Sequence, residues 1–165
     1  MVLGGLIVLL AVLQWFQEPA RHSGQPVPTD GVKGRPQLVD GDSFHLAGEE
    51  VRLVGIDAPE GPQTCTRGGA TWPCGEESRR HLQRLIAGRT VECVAPERDQ
   101  HGRLLARCTA GEHDLNREMV ASGLAVAYGD YQREETGARA AKRGLWSGEF
   151  ERPRDWRRNQ GSRRD

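Results

Sequence analysis

Short strand-like segments separated by glycine-containing turns fill much of the chain, and this pattern favours a fold built around a small antiparallel sheet. Strand-like residues run from 37 to 56, with interruptions at Asp40-Gly41-Asp42 and Gly48-Glu49-Glu50. Because an Asp-Gly pair permits positive φ, the first interruption predicts a turn between strands. Residues 90–95 and 103–109 are predicted to form an antiparallel pair across a turn.

Three helices are predicted among these strands, each followed by a glycine that can end it. The first spans 76–87 and opens with acidic residues, the second spans 114–122 with Asp114 as its N-cap, and the third spans about 133–143. The resulting fold class is α+β, and a five-stranded OB-fold β-barrel with about three helices fits it. The pattern alone leaves other α+β folds open.

The first residues form an apolar segment. Every residue from 2 to 13 is apolar or glycine, and two aromatic residues follow within 2–16. The run is shorter than the ~20 residues of a comfortable membrane span, so it fits a signal-peptide core or a short membrane tether. No Lys or Arg precedes it and no small-x-small cleavage site follows, which favours a retained anchor over a cleaved signal peptide. We assign 1–17 to this segment and expect an exported protein, periplasmic or extracellular.

Proline content and charge divide the rest of the chain. Residues 18–36 hold four prolines among polar residues and are predicted to be a flexible linker. The folded domain is predicted to span 37–158, and residues 159–165 are predicted to form a disordered tail.

With 23 basic and 23 acidic residues, the chain has no global positive field that would indicate stable nucleic-acid packaging. This balance does not exclude an enzyme, which must release its product.

The four cysteines are expected to form two disulfide bonds, because an even number of cysteines behind an export signal is typical of secreted domains. Three pairings are possible. Spacing favours Cys65 with Cys74, which closes a short loop, and Cys93 with Cys108, which ties two neighbouring strands. No C-x-x-C spacing supports a structural zinc site.

Carboxylates and arginines occur in an order suited to phosphodiester chemistry. Such a reaction needs carboxylates to hold a hard cation, arginines to grip the phosphate and an acid to handle the proton of water. Taken singly, these residues are weak signals, since Asp-Gly-Asp usually marks only a turn. The set consists of Asp40, Asp42, Arg52, Asp57, Glu60 and Arg103.

Their combination is far more specific. Three segments contain these residues, and their order and approximate spacing match those of one known family. The segments are Val39-Asp40-Gly41-Asp42-Ser43, Arg52-Leu53-Val54-Gly55-Ile56-Asp57-Ala58-Pro59-Glu60 and Asp99-Gln100-His101-Gly102-Arg103. Leu115-Asn116 and Gly144-Leu145-Trp146 extend the match. Over about 36–146 the chain resembles the thermonuclease, or staphylococcal nuclease-like, family.

This resemblance implies a five-stranded OB barrel and a calcium-dependent nuclease acting on DNA or RNA. Asp42 and Asp57 would ligate Ca²⁺ through carboxylates and Ala58 through its carbonyl, where the family commonly has threonine. Because that ligand is a backbone oxygen, alanine is compatible with it. Asp40 would support the turn.

The resemblance also assigns roles in the reaction. Glu60 would take or orient the proton of the attacking water, and Arg52 and Arg103 would brace the phosphate, giving cleavage of the P–O5′ bond and 3′-phosphate ends. Tyr128 would contact a nucleotide. His101 is a second candidate for substrate binding, although Gln100-His101 replaces the family's lysine–tyrosine pair.

A catalytically inactive OB module that only binds nucleic acid or protein is the alternative from another class. An envelope domain that binds Ca²⁺ for stability is a third. The presence of Arg52, Glu60 and Arg103 favours the enzyme, and we expect it to be a monomer.

Overall fold

The computed structural model describes residues 26–162. Its main sheet has seven strands: β1 (Val32–Gly34), β2 (Gln37–Leu38), β3 (Ser43–Leu46), β4 (Glu49–Leu53), β8 (Val91–Arg98), β9 (Leu104–Ala110) and β10 (His113–Asp114). Their spatial order is β1-β8-β9-β4-β3-β2, with β10 paired to β9. Two small sheets pair β5 (Ile56–Asp57) with β11 (Val126–Ala127), and β6 (Cys65–Arg67) with β7 (Ala70–Trp72).

Four α-helices accompany the sheets: α1 (Cys74–Ile86), α2 (Leu115–Ala121), α3 (Gln132–Ala140) and α4 (Pro153–Gly161). The α+β class is confirmed, and the first three helices lie where the sequence predicted them. The side chain of Asp114 accepts a hydrogen bond from the Arg117 amide, as expected of an N-cap. A 3-10 turn covers Gly144–Ser147.

The predicted pair of long strands is present and forms the centre of the sheet. Strands β8 and β9 are antiparallel, with Cys93 opposite Cys108, and β9 also runs parallel to β4. The main sheet, which contains this one parallel pair among antiparallel ones, is curled into a half-barrel. The strand count differs from the predicted five, because several strands have only two or three residues.

The predicted boundaries of the domain also differ from those observed. Strand β1, placed in the predicted linker, pairs with β8, and Val32 packs against the core, so the sheet begins before residue 37. Helix α4 continues through Gly161, into the predicted tail, with Pro153 at a first-turn position that suits proline. The predicted segment 1–17 lies outside the described residues. No helix among residues 26–162 is both long and apolar enough to span a membrane.

One apolar core lies between the curled sheet and helices α1 and α2. Its largest fully buried side chains include Phe44, Leu53, Leu82, Leu104 and Met119. Strand β8 alternates buried and exposed residues over its first half, so one face contacts the core and the other faces solvent. The core thereby fixes the strands whose ends carry the polar residues described next.

Both predicted disulfide bonds are present, Cys65–Cys74 and Cys93–Cys108. The second joins the paired strands β8 and β9. The first belongs to a smaller apolar cluster with Val126 and Leu145, away from the main core. The two bonds therefore stabilise different parts of the fold.

Candidate active site

The Asp40-Gly41-Asp42 turn directs one carboxylate into the protein. Asp40 Oδ1 accepts hydrogen bonds from the Asp42 amide at 3.0 Å and from Ser43 Oγ at 2.8 Å, which closes the turn. A Cβ atom on Gly41 would lie 1.9 Å from Ser78 Oγ, so only glycine fits against helix α1 here. The turn therefore leaves Asp42 buried, 1% exposed, beneath the surface.

Asp42 is held by one backbone and one side-chain donor. Its Oδ2 accepts from the Ala58 amide at 2.8 Å and lies 3.3 Å from Arg52 Nη2. Burial raises the pKa of Asp42 to about 8, and the positive charge of Arg52 only partly opposes this shift. Burial thus favours the neutral form of Asp42, and an additional cation close to it would favour the charged form.

Arg52 connects Asp42 to a second acid. The same Nη2 atom lies 2.8 Å from Asp57 Oδ1. Asp57 ends strand β5 and is opposite Val126 of β11, and the Tyr128 amide donates to the Gly55 carbonyl at 2.8 Å. This short strand pairing places Tyr128, whose side chain is 59% exposed, beside Asp57.

Glu60 lies in a loop that is fixed by a buried glutamine. Gln63 Oε1 accepts from the Glu60 amide at 3.3 Å, and Gln63 Nε2 donates to the Glu151 carbonyl at 2.7 Å. A Cβ atom on Gly75 would lie 1.8 Å from the Glu60 carbonyl oxygen, so the start of α1 packs directly on this loop. Sequence reasoning missed Gln63, since a single polar residue in a loop gives no sign that it will be buried.

Arg103 is presented by the turn between β8 and β9. Asp99 accepts from Arg103 Nε at 2.8 Å and from the Arg103 amide at 3.0 Å. Asp99 also accepts from the His101 amide at 2.8 Å, while the His101 side chain is exposed. Burial acts to raise the pKa of Asp99, but these hydrogen bonds outweigh it and hold the pKa below the ordinary value. The charged Asp99 therefore fixes the direction of Arg103.

A third arginine, absent from the predicted set, comes from helix α4. Arg157 Nη1 lies 2.9 Å from Asp57 Oδ1 and 2.7 Å from Glu60 Oε1, and Nη2 lies 3.2 Å from Asp57 Oδ2. Partial burial disfavours its charge, but the two carboxylates outweigh this effect and raise the pKa of Arg157 above the ordinary arginine value. In the sequence, the end of the chain is rich in arginine. This composition indicates positive charge but does not predict which residues the arginines contact.

These side chains meet at one open cleft of about 1050 Å³. Seven of the predicted residues line it together with Arg154 and Arg157: Asp40, Arg52, Asp57, Glu60, His101, Arg103 and Tyr128. The other two predicted residues, Asp42 and Ala58, are buried and do not line the cleft. The cleft thus combines carboxylates with several guanidinium groups, a combination suited to binding and cutting a phosphate ester.

Oxygen atoms at this cleft and directly beneath it are of the type that a hard cation such as Ca²⁺ binds. Two carboxylates, those of Asp42 and Asp57, share the donor Arg52 Nη2, and Ala58 follows Asp57 directly. Calcium is bound by carboxylate and backbone carbonyl oxygens. Residues 26–162 contain no group of three or more His, Cys, Asp or Glu side chains placed to hold a metal, so a backbone oxygen or water would have to complete the set.

A curled sheet that brings acids and arginines to one cleft is an arrangement suited to the chemistry of phosphate esters. A family model described as staphylococcal nuclease homologue matches residues 50–148. The chain therefore belongs to the staphylococcal nuclease homologue family. The resemblance seen in the sequence is confirmed, and proteins named as endonucleases are among the relatives of this chain.

Three relatives illustrate the range of proteins that this chain resembles. It is 34% identical to an uncharacterized endonuclease of Escherichia coli, covering 74% of this chain and 82% of that protein. It is 36% identical to the probable endonuclease LCL3 of Verticillium alfalfae, covering 72% of this chain and 48% of that protein. It is 35% identical to the succinoglycan biosynthesis protein ExoI of Rhizobium meliloti, covering 70% and 64%. The chain thus spans about half the length of the LCL3 protein and slightly less than two thirds of the length of ExoI.

Proposed function

We propose that the protein is a calcium-dependent nuclease that hydrolyses phosphodiester bonds of DNA, RNA or both with little sequence specificity. The observation that carries this proposal is the meeting of Arg52, Asp57, Glu60 and Arg103 at one cleft, with Asp42 buried behind Arg52. The curled sheet would correspond to the OB barrel expected of the family. Relatives named as endonucleases support the same activity.

Asp42, Asp57 and the Ala58 carbonyl would hold the calcium ion. When bound, calcium would polarise the phosphate and help to orient the attacking water. The closeness of the two carboxyl groups supports this assignment, since Arg52 Nη2 lies 3.3 Å from Asp42 Oδ2 and 2.8 Å from Asp57 Oδ1. Alanine at position 58 is compatible with it because the ligand is a backbone oxygen.

Glu60 is the residue that would handle the proton of the attacking water. The water oxygen bonds to phosphorus while Glu60 accepts the proton or orients the water, the P–O5′ bond breaks, and O5′ takes up a proton. The products are a 5′-hydroxyl and a 3′-phosphate. Glu60 is suited to this position because it lines the cleft beside Asp57 while its backbone is fixed by Gln63.

Arg52 and Arg103 would stabilise the negative charge that grows on the phosphate oxygens. Arg52 contacts its carboxylates through Nη2 alone, and Arg103 contacts Asp99 through Nε and Nη2. Among the described contacts, further N–H donors of both guanidinium groups remain available. Their effect is greatest in the five-coordinate transition state, where it accelerates the reaction. The exposed ring of Tyr128 would stack on a base or sugar.

The test is cleavage of single-stranded DNA and RNA by the full chain, purified under oxidising conditions, with Ca²⁺ or with a chelator. We expect cutting only with Ca²⁺, and a loss of about 100-fold or more in kcat for Glu60→Gln and for Arg103→Gln. Glu97→Gln and Arg133→Gln, exposed residues that do not line the cleft, serve as matched controls. Calcium-independent cutting, or full activity of both cleft variants, contradicts the proposal. Binding without cutting by the wild type would instead support the inactive OB module.

We also propose that the protein is exported as a monomer, with residues 2–16 either retained as a tether or removed as a signal. The two disulfide bonds support an oxidising compartment. The mass of the mature protein and its distribution between membrane and soluble fractions test the fate of this segment. Free thiols at all four cysteines in the cell-derived protein would contradict export.

A further inference from the structure

A second cavity adjoins the active-site cleft along helix α4. Its volume is about 380 Å³, and its lining is rich in arginine: Arg152, Arg154 and Arg158, with Asp155 and Val126–Ala127. Asp57, Tyr128 and Arg154 line both this cavity and the main cleft. The two cavities are therefore neighbouring parts of one surface that passes Tyr128.

Helix α4 presents its arginines to both cavities in a regular row. Arg154, Arg157 and Arg158 are spaced i, i+3 and i+4, which places them on the same side of a helix. Arg157 lines the main cleft, Arg158 lines the second cavity and Arg154 lines both. The helix thus places arginines at both the main cleft and the second cavity.

The arginines of the second cavity differ in how fully they are already paired. Arg158 contacts Asp155 at 2.6 Å, and Arg152 lies 3.6 Å from Glu135. Arg154 is exposed, and within residues 26–162 its side chain has no hydrogen bond or ion pair. Its guanidinium, with five N–H donors, is the one best placed to bind an external anion.

We propose that this second cavity is a subsite for the nucleic-acid backbone next to the phosphate that is cut. Arg154 and Arg158 would bind a neighbouring phosphate, and Tyr128 would stack on the nucleotide between the two cavities. A basic groove with an exposed aromatic ring is the combination that binds single-stranded nucleic acid. This inference rests on the proposed nuclease function and adds a substrate-length preference to it.

The anchoring of α4 supports a role for the helix in substrate binding. Thr66 and Glu149 exchange backbone hydrogen bonds of 2.8 and 2.9 Å, which fix the segment before α4 to the hairpin closed by Cys65–Cys74. Arg157 then fixes the helix itself to Asp57 and Glu60. Arg154 therefore projects from a helix with defined contacts to the catalytic residues.

The test compares a dinucleotide containing one phosphodiester bond with a long oligothymidine that can cross both cavities. For Arg154→Gln/Arg158→Gln in the full chain, we expect the ratio of kcat/KM on the long substrate to that on the dinucleotide to fall roughly two- to fivefold for each arginine. Arg133→Gln removes the same charge from α3, lines neither cavity and should leave this ratio unchanged. Charge reversal by Arg154→Glu should lower the ratio further.

A binding measurement separates this inference from the nuclease proposal. Oligothymidine binding is followed by fluorescence anisotropy in calcium-free buffer at several salt concentrations, so that no cutting is required. We expect the slope of log K against log salt to become shallower by about 0.7 for each phosphate that the variant no longer binds. If the wild type cuts neither substrate, the nuclease proposal fails. The difference in slope between the wild type and the double variant still shows whether the second cavity binds a phosphate. An unchanged slope and an unchanged substrate ratio in the double variant would overturn the subsite.

Discussion

Arg157 Nη1 lies 2.7 Å from Glu60 Oε1 and 2.9 Å from Asp57 Oδ1, so one guanidinium bridges two acids of the cleft. It comes from the last helix of the described chain, whereas both acids lie about 100 positions earlier. Arg52 Nη2 contacts the same Asp57 oxygen, at 2.8 Å. Asp57 is therefore already shared between two positive groups before any cation reaches it.

Arg157→Gln should strengthen calcium binding. The guanidinium occupies both oxygens of Asp57, and its removal leaves more negative charge for a divalent ion. Because the Arg157 side chain is 37% exposed, solvent weakens the effect, and we expect roughly a fivefold lower Kd. Isothermal titration with Ca²⁺ measures it, with Arg133→Gln as the control for loss of one charge. An unchanged or weaker affinity would show that Arg157 does not compete for Asp57.

Asp42→Asn should remove the response to calcium while largely preserving the calcium-free fold. Asparagine has the shape of aspartate and can still accept the hydrogen bond from the Ala58 amide, but it lacks the charge. We expect the calcium-induced rise in Tm to disappear, with only a small change in Tm in chelator. Differential scanning fluorimetry provides the measurement, and Asp30→Asn, at an exposed position, is the control. A calcium response that survives the change would remove Asp42 from the metal site.

Gln63→Ala should cost about 1–3 kcal/mol of unfolding free energy and also lower kcat. The side chain is fully buried and bonds to the Glu60 amide and the Glu151 carbonyl, so its loss leaves both backbone groups without that partner. Urea unfolding measures the stability, and Gln37→Ala, at an exposed strand position, gives the matched comparison. If stability falls but kcat does not, Gln63 supports the fold without positioning Glu60.

The two disulfide bonds should differ in what their removal changes. Cys93 and Cys108 are separated by 15 residues within the main sheet, and replacing both with serine should lower the unfolding free energy by about 3 kcal/mol. Cys65 and Cys74 are separated by nine residues beside the Glu60 loop. Replacing them should cost less stability, because the closed loop is shorter, but should lower kcat more.

Each disulfide variant is the control for the other. Urea unfolding and steady-state kinetics on the same preparations give the two quantities. A similar loss of kcat in both double variants would indicate general destabilisation, and would count against a specific link between the Cys65–Cys74 hairpin and the cleft.

Local patterns predicted those elements whose structure depends on nearby residues. The pair β8 and β9 followed from alternating residues around a turn, and α2 from its Asp114 cap, because these signals are encoded within a few positions. Strand β1 was missed because a strand of three residues has too little pattern to stand out in a proline-rich segment.

The roles of the predicted site residues came from the family resemblance, and the structure brings seven of these residues together at the cleft. Arg157 and Gln63 were missed for a different reason. Helix α4 buries little apolar surface, since Pro153 is its one fully buried residue, and so it lacks the apolar stripe that identifies a helix. Its position depends on ion pairs with residues about 100 positions away, and such long-range contacts leave no local trace in a sequence.

The distance along the chain between Arg157 and Asp57 also has a consequence for folding. Contacts between residues far apart in sequence form late, because the intervening chain must first be ordered. Helix α4 has little apolar surface of its own, so it can dock only on a sheet and a Glu60 loop that already exist. We therefore expect a folding intermediate with a complete sheet and an undocked C-terminus, in which hydrogen exchange protects β8 and β9 before α4.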